Sequence, residues 1–202
     1  MRVTATAVLS TVVLASGLAA CGGGGGSAGS TSPSATSASA APGTGAKAVL
    51  AAPAASGDQP VGITYDPARV PAGGTLAVSS TKAGEQTTVT LTVTGLLPGT
   101  MYGAHVHTKK CGAKAADSGP HYQDQQDPVT PSVDPRYANA QNEIWLDFHT
   151  DGSGNASASS TVKWAFRSGG ANSVVVHASH TSTEPGKAGT AGDRLACLST
   201  AF

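Results

Sequence analysis

The sequence predicts an all-β domain, and three observations carry the prediction. Apolar and polar residues alternate with a period of two in several separate stretches, as they do where one face of a strand is buried. No stretch sustains a helical period. Turns rich in Gly and Pro divide the alternating stretches at short intervals. Seven or eight short strands divided in this way fit an antiparallel sandwich or barrel.

Taken in order, residues 60–65 and 74–80 are the first strand candidates. Residues 88–94 alternate most plainly, with Val89, Leu91 and Val93 on one face and threonines on the other. After the turn Leu97-Pro98-Gly99, residues 101–107 form the next strand. Residues 143–148 and 156–166 flank the turn Thr150-Asp151-Gly152-Ser153-Gly154, which predicts a hairpin between them. Residues 173–177 and 194–198 complete the set. Two long connections remain, 109–141 and 178–193, each leaving close to a histidine. Loops of this length in a compact domain are functional or disordered, and those histidines favour function.

The N-terminal part is of a different kind. Residues 1–20 read as an export leader: Arg2 gives a positive start, and an apolar run over 8–18 is too short to span a bilayer. Leu18-Ala19-Ala20-Cys21 resembles the lipobox of bacterial lipoproteins. That resemblance implies cleavage before Cys21, lipidation of its thiol and an extracytoplasmic, membrane-anchored protein. An ordinary secretory leader and a cytosolic chain with an apolar start are the alternatives. Residues 21–55 are Gly, Ser, Ala, Thr and Pro with almost no large apolar side chain, which predicts a flexible tether. Residues 56–202 are then one domain.

Basic and acidic residues balance at 12 each, and removing Arg2 with the leader leaves one more acid than base. No basic stripe is present, which argues against nucleic acid as a partner. No second apolar run is long enough for a membrane helix, so the membrane is reached through the lipid alone. Of three cysteines, Cys111 and Cys197 remain once Cys21 is lipidated. An even pair in an exported protein suits a disulfide; two buried thiols are the alternative.

Four of the six histidines sit in three contexts that point to one metal ion. His105 and His107 lie two apart on a strand, so both imidazoles project from one face. Gly103 beside them permits close approach of neighbouring backbone. His121 follows in Gly119-Pro120-His121 and His177 in Val175-Val176-His177. Four imidazoles without carboxylate or thiolate suit copper or zinc better than calcium or magnesium. His149 and His180 are left over as loop residues.

In this order the motifs resemble those of copper-zinc superoxide dismutases. The quoted segments are Gly103-Ala104-His105-Val106-His107, Cys111, Gly119-Pro120-His121-Tyr122, Val175-Val176-His177 and Gly189-Thr190-Ala191-Gly192-Asp193-Arg194-Leu195-Ala196-Cys197. The resemblance implies an eight-stranded, immunoglobulin-like Greek-key sandwich with two functional loops. It implies a copper held by His105, His107, His121 and His177 and a Cys111–Cys197 disulfide. It further implies Arg194 as the guide for superoxide and His121 as the ligand that carries a proton during turnover.

The match breaks where the family binds zinc. The loop 122–142 has no histidine, and Asn142-Glu143-Ile144-Trp145-Leu146-Asp147 stands where the family's zinc-binding run should be. The chain is therefore expected to use copper without zinc, with Asp124, Asp127 and Asp134 as a weaker alternative carboxylate site. Glu143 is expected to accept a hydrogen bond from His121 and so orient it, against the alternative of a surface glutamate. Superoxide disproportionation at copper is the leading expectation. A copper-storing or copper-delivering envelope protein on the same fold is the second, and a plain adhesion sandwich the third.

Overall fold

A computed structural model describes residues 43–202. The export leader, Cys21 and the greater part of the expected tether lie outside these residues. The described chain is all-β apart from one short 3-10 turn at Ala115–Ser118. Among the described residues, no helix is long and apolar enough to cross a membrane.

Among the described residues, nine strand segments form two antiparallel sheets: β1 (Thr44–Val49), β2 (Gly62–Thr64), β3 (Thr75–Ala83), β4 (Gln86–Thr94), β5 (Met101–His107), β6 (Phe148–His149), β7 (Ala156–Val162), β8 (Ser173–His177) and β9 (Arg194–Ser199). One sheet has the order β1-β3-β4-β7 and the other β2-β9-β8-β5-β6. The chain passes between sheets from β1 to β2, from β2 to β3, from β4 to β5, from β6 to β7 and from β7 to β8, the Greek-key pattern of a β-sandwich.

Period-two alternation builds the core. Leu76 and Val78 of β3 and Val89, Leu91 and Val93 of β4 pack with Tyr102, Ala104 and Val106 of β5, Val174 and Val176 of β8, and Ala196 and Leu198 of β9. On the outer face of the first sheet, Thr88 and Thr90 pair their hydroxyls with Thr161 and Ser159 of β7. Such cross-strand polar pairs stabilise a solvent-facing sheet surface.

Three sequence expectations need correction. First, the stretch expected as tether, 21–55, ends in β1, which pairs with β3 from Thr44↔Ser80 to Val49↔Thr75. An edge strand needs only its backbone ladder and small packing residues, and Ala46 and Ala48 supply those against the core. The folded domain thus starts before residue 56, with β1 as a strand segment the alternation did not mark. Second, residues 143–148 and 156–166 form no hairpin. β6 pairs with β5, whereas β7 pairs with β4 in the other sheet. The turn between them packs on the β4–β5 connection instead, with Leu96 N–H donating to the Gly154 carbonyl at 3.0 Å. Third, residues 143–147 do not form a continuous strand. They run beside β5 through one bridge, His105↔Trp145, and the Leu146 N–H bond to the Ala104 carbonyl.

Candidate metal centre

The five-stranded sheet is buried on both faces, and alternation assigns a task to each. While Tyr102, Ala104 and Val106 enter the sandwich core, His105 and His107 point from the opposite face of β5. In β8 the same rule sends Val174 and Val176 inward and His177 outward. The register pairs Gly103 with His177 and His105 with Val175, so His177 sits diagonally beside His105. The absence of a side chain at Gly103 is required: a Cβ there would lie 2.5 Å from the Ser179 carbonyl oxygen and 2.8 Å from the Ala191 Cβ.

The two long loops cover this outer face. The first returns antiparallel to the end of β5, with Tyr122 N–H donating to the Val106 carbonyl at 2.8 Å and Thr108 N–H to that of Pro120 at 3.0 Å. These bonds place His121 opposite His107. A Cys111–Cys197 disulfide ties the same loop to β9. Across an irregularity between Val176 and His177, Arg194 pairs with His177, which brings the arginine to the cluster. Arg194 Nη1 donates to Ser118 Oγ at 2.9 Å and to the Ala115 carbonyl at 3.2 Å, so the 3-10 turn holds one side of its guanidinium.

All four expected ligands converge. One ligand atom from each of His105, His107, His121 and His177 lies within 4.8 Å of the others. Each ring has one nitrogen committed outward. His107 Nδ1 donates to the Gly119 carbonyl at 2.9 Å and His177 Nδ1 to that of Gly192 at 3.3 Å. His121 Nδ1 donates to Glu143 Oε2 at 2.8 Å, and His105 Nε2 bonds Thr181 Oγ1 at 2.7 Å. What remains is Nδ1 of His105 and Nε2 of the other three. His105 Nδ1 is buried with no hydrogen-bond partner, and the Nε2 atoms of His107 and His177 face each other at 3.3 Å. Buried nitrogen lone pairs are costly when unpaired, and a shared cation satisfies them together.

Electrostatics favours the neutral rings that ligation requires. Burial, then the neighbouring imidazoles His121 and His177, holds His105 and His107 far below the usual histidine range. Burial likewise pushes His177 down to about 3, with His121 adding to the effect. His121 differs from its partners in exposure, with 19% of its side chain open. It lines a cavity of about 780 Å³ together with His177, Arg194, Gln123 and Thr108.

Glu143 is 1% exposed, not a surface residue, and it accepts from three donors. Besides His121, Trp145 Nε1 donates to Oε2 at 2.7 Å and Gln123 Nε2 to Oε1 at 2.8 Å. Gln123 is itself fixed, accepting from Asp127 N–H at 2.9 Å and donating to Ser132 Oγ at 2.9 Å. Two of the three alternative carboxylates are engaged in turns: Asp127 accepts from Ser132 Oγ and Val129 N–H, and Asp134 pairs with Arg136; Asp124 bonds through its backbone, donating to the Asn142 carbonyl and accepting from Arg167. His149 and His180 are exposed and stand outside the cluster.

Nothing in the sequence marks Gln123, Thr181 or the two glycine carbonyls as site groups. Gly119 and Gly192 lie inside quoted motifs, and both have positive φ, 73° and 75°, which aims the carbonyls where only glycine is unstrained. A carbonyl leaves no trace in residue type, and a loop threonine carries no distinguishing signal.

The family model of copper/zinc superoxide dismutase (SODC) matches residues 72–198. No curated protein matches the chain. Similar solved structures include a single mutant of a SOD-like protein from Bacillus subtilis, at 13% identity and TM-score 0.49, covering 63% of this chain and 90% of that one. A double mutant of a SOD-like protein from the same organism follows at 13% and 0.48, with 63% and 89% covered. A Cu/Zn superoxide dismutase from Brucella abortus is 20% identical, with TM-score 0.47 and 63% and 88% covered.

Proposed function

This chain belongs to the copper/zinc superoxide dismutase family, and on that premise we propose that it is an extracytoplasmic, lipid-anchored superoxide dismutase that uses copper without zinc. The observation that carries the reading is the set of four nitrogens left free, each ring's other nitrogen being tied to a fixed acceptor or hydroxyl. An all-imidazole set serves both oxidation states of copper and offers no hard oxygen ligand for calcium or magnesium. Copper, when bound, would supply one-electron redox chemistry, by which one superoxide is oxidised to dioxygen and a second is reduced and takes up two protons to leave as hydrogen peroxide.

The protein's own residues do the rest. Arg194 carries a permanent positive charge at the cavity beside His121 and His177, which draws a small anion inward. His121, the partly exposed ring, is the one through which a proton reaches the reacting oxygen, and Glu143 keeps its orientation as it does so. Glu143 accepts the hydrogen bond from Nδ1–H of His121, which leaves that nitrogen no lone pair for a second metal and supports a centre with copper alone. The lipobox at Leu18–Cys21 supports the anchored location, as does a disulfide of the kind that persists outside the cytoplasm.

The test is direct superoxide decay with copper-loaded protein cleared of unbound copper. Catalysis well above the metal-free chain supports the proposal. Tight copper binding without turnover would overturn it in favour of a copper-storing or copper-delivering protein.

A further inference from the structure

We infer that Thr181 and Asp147 are positioning residues that set the tautomer of His105 and thereby choose Nδ1 as its metal-facing nitrogen. The inference rests on the four-histidine centre and adds a control that lies outside it. Thr181 Oγ1 is 2.7 Å from His105 Nε2 and 2.6 Å from Asp147 Oδ1, and Thr181 N–H donates to Asp147 Oδ2 at 2.7 Å.

A carboxylate only accepts, so both of its oxygens take protons from Thr181, one from the amide and one from the hydroxyl. The hydroxyl has a single proton, and that proton goes to Asp147. Towards His105 the hydroxyl can therefore only accept. Nε2 must carry the ring proton, and Nδ1 is left as a bare lone pair, buried and without a partner. Charge at Asp147 is thus converted, through one hydroxyl, into the proton position on a ring it does not touch.

The relay also joins separate parts of the chain. Asp147 precedes β6, and Thr181 lies in the loop after β8. That loop is held by its own ladder, Ser179 N–H to the Ala191 carbonyl at 2.9 Å and Ser182 N–H to that of Thr190 at 2.8 Å. Docking of the loop and selection of the His105 nitrogen are therefore one event. The same short segment, 143–147, orients two histidines: Glu143 holds His121 directly and Asp147 holds His105 through Thr181.

Asp147→Asn is the discriminating variant. The Thr181 backbone N–H still requires an oxygen, so the introduced side-chain amide turns its NH2 towards the Thr181 hydroxyl. The hydroxyl then accepts from that NH2 and donates to His105 Nε2, which puts the ring proton on Nδ1. Long-range 1H–15N NMR of the full-length, metal-free chain reads the tautomer directly, without dependence on turnover. The expected result is Nε2–H in the wild type and Nδ1–H in Asp147→Asn, with copper dissociation constants raised about 10- to 100-fold. Thr181→Val should raise the dissociation constant similarly, and Thr181→Ser should restore it. Should Asp147→Asn not fold, the Thr181 pair carries the test. An unchanged tautomer in Asp147→Asn would overturn the inference, even with a lowered melting temperature. So would equal copper affinity in Thr181→Val, Thr181→Ser and the wild type.

Discussion

The Nε2 atoms of His107 and His177 face each other at 3.3 Å while the Nδ1 atom of each ring donates to a glycine carbonyl. Both facing atoms are therefore lone pairs, which repel unless a cation lies between the rings. His177→Ala should remove a ligand without disturbing the two-sheet core, because this side chain points from the outer face. Copper affinity should fall about 100-fold or more, at or beyond the upper range for loss of a ligand's hydrogen-bond partner. Competitive chelator titration checks this, with circular dichroism to confirm the fold.

Glu143→Gln should weaken both the centre and the fold. The carboxylate meets donors on both oxygens, so an amide NH2 must oppose one of them. One buried bond is lost and one donor is left unpaired, at a cost of about 1–3 kcal/mol. Denaturant unfolding of the metal-free chain measures that part. A loss of copper affinity of about 10- to 100-fold should accompany it.

Gly103→Ala should disturb the loop after β8 before it disturbs the sandwich. The added Cβ meets Ser179 backbone and Ala191, which belong to that loop, rather than the inter-sheet core. Overpacking of this kind costs about 1–3 kcal/mol. Hydrogen exchange should show faster exchange at Ser179 and Ser182, whose amides form the loop's ladder, with β3 and β4 unchanged.

Replacing both Cys111 and Cys197 by Ser should lower stability by about 4.6 kcal/mol, since the bridge closes a loop of 86 residues. Guanidinium unfolding checks the magnitude. The loop carrying His121 and the Ser118 contact of Arg194 would lose its tie to β9, so copper affinity should fall as well.

Arg194→Gln should reduce the superoxide reaction rate roughly 10-fold and flatten its dependence on ionic strength. Stopped-flow decay at several salt concentrations reads both effects. Copper content should stay unchanged, because Arg194 bonds Ser118 and Ala115 rather than a histidine.

The legible parts of this molecule are those written in side-chain periodicity. Val106 between His105 and His107 specifies a strand with one apolar and one ligating face, and the structure keeps that division. Gly103 announces a close approach that its missing Cβ permits. Glu143 stands out because it occupies a place where the resemblance leads one to expect zinc ligands, and its bond to His121 is present. β1 is hidden because Ala46 and Ala48 look like tether residues until they lie against β3. The segment 143–147 alternates like a strand, yet the Glu143 carboxylate bonds His121 and that of Asp147 bonds Thr181, and the ladder with β5 is only partial. The wrong hairpin comes from a good turn sequence, whose partner, Leu96, lies far away in the chain. Thr181 acts through a single hydroxyl whose meaning depends on two residues brought to it by folding.

Copper content per chain after exhaustive dialysis tests the central claim most directly, with His177→Ala measured alongside. The account predicts one copper per wild-type chain and almost none in the variant. A wild-type chain that keeps no copper, or a variant that keeps as much as the wild type, would contradict it.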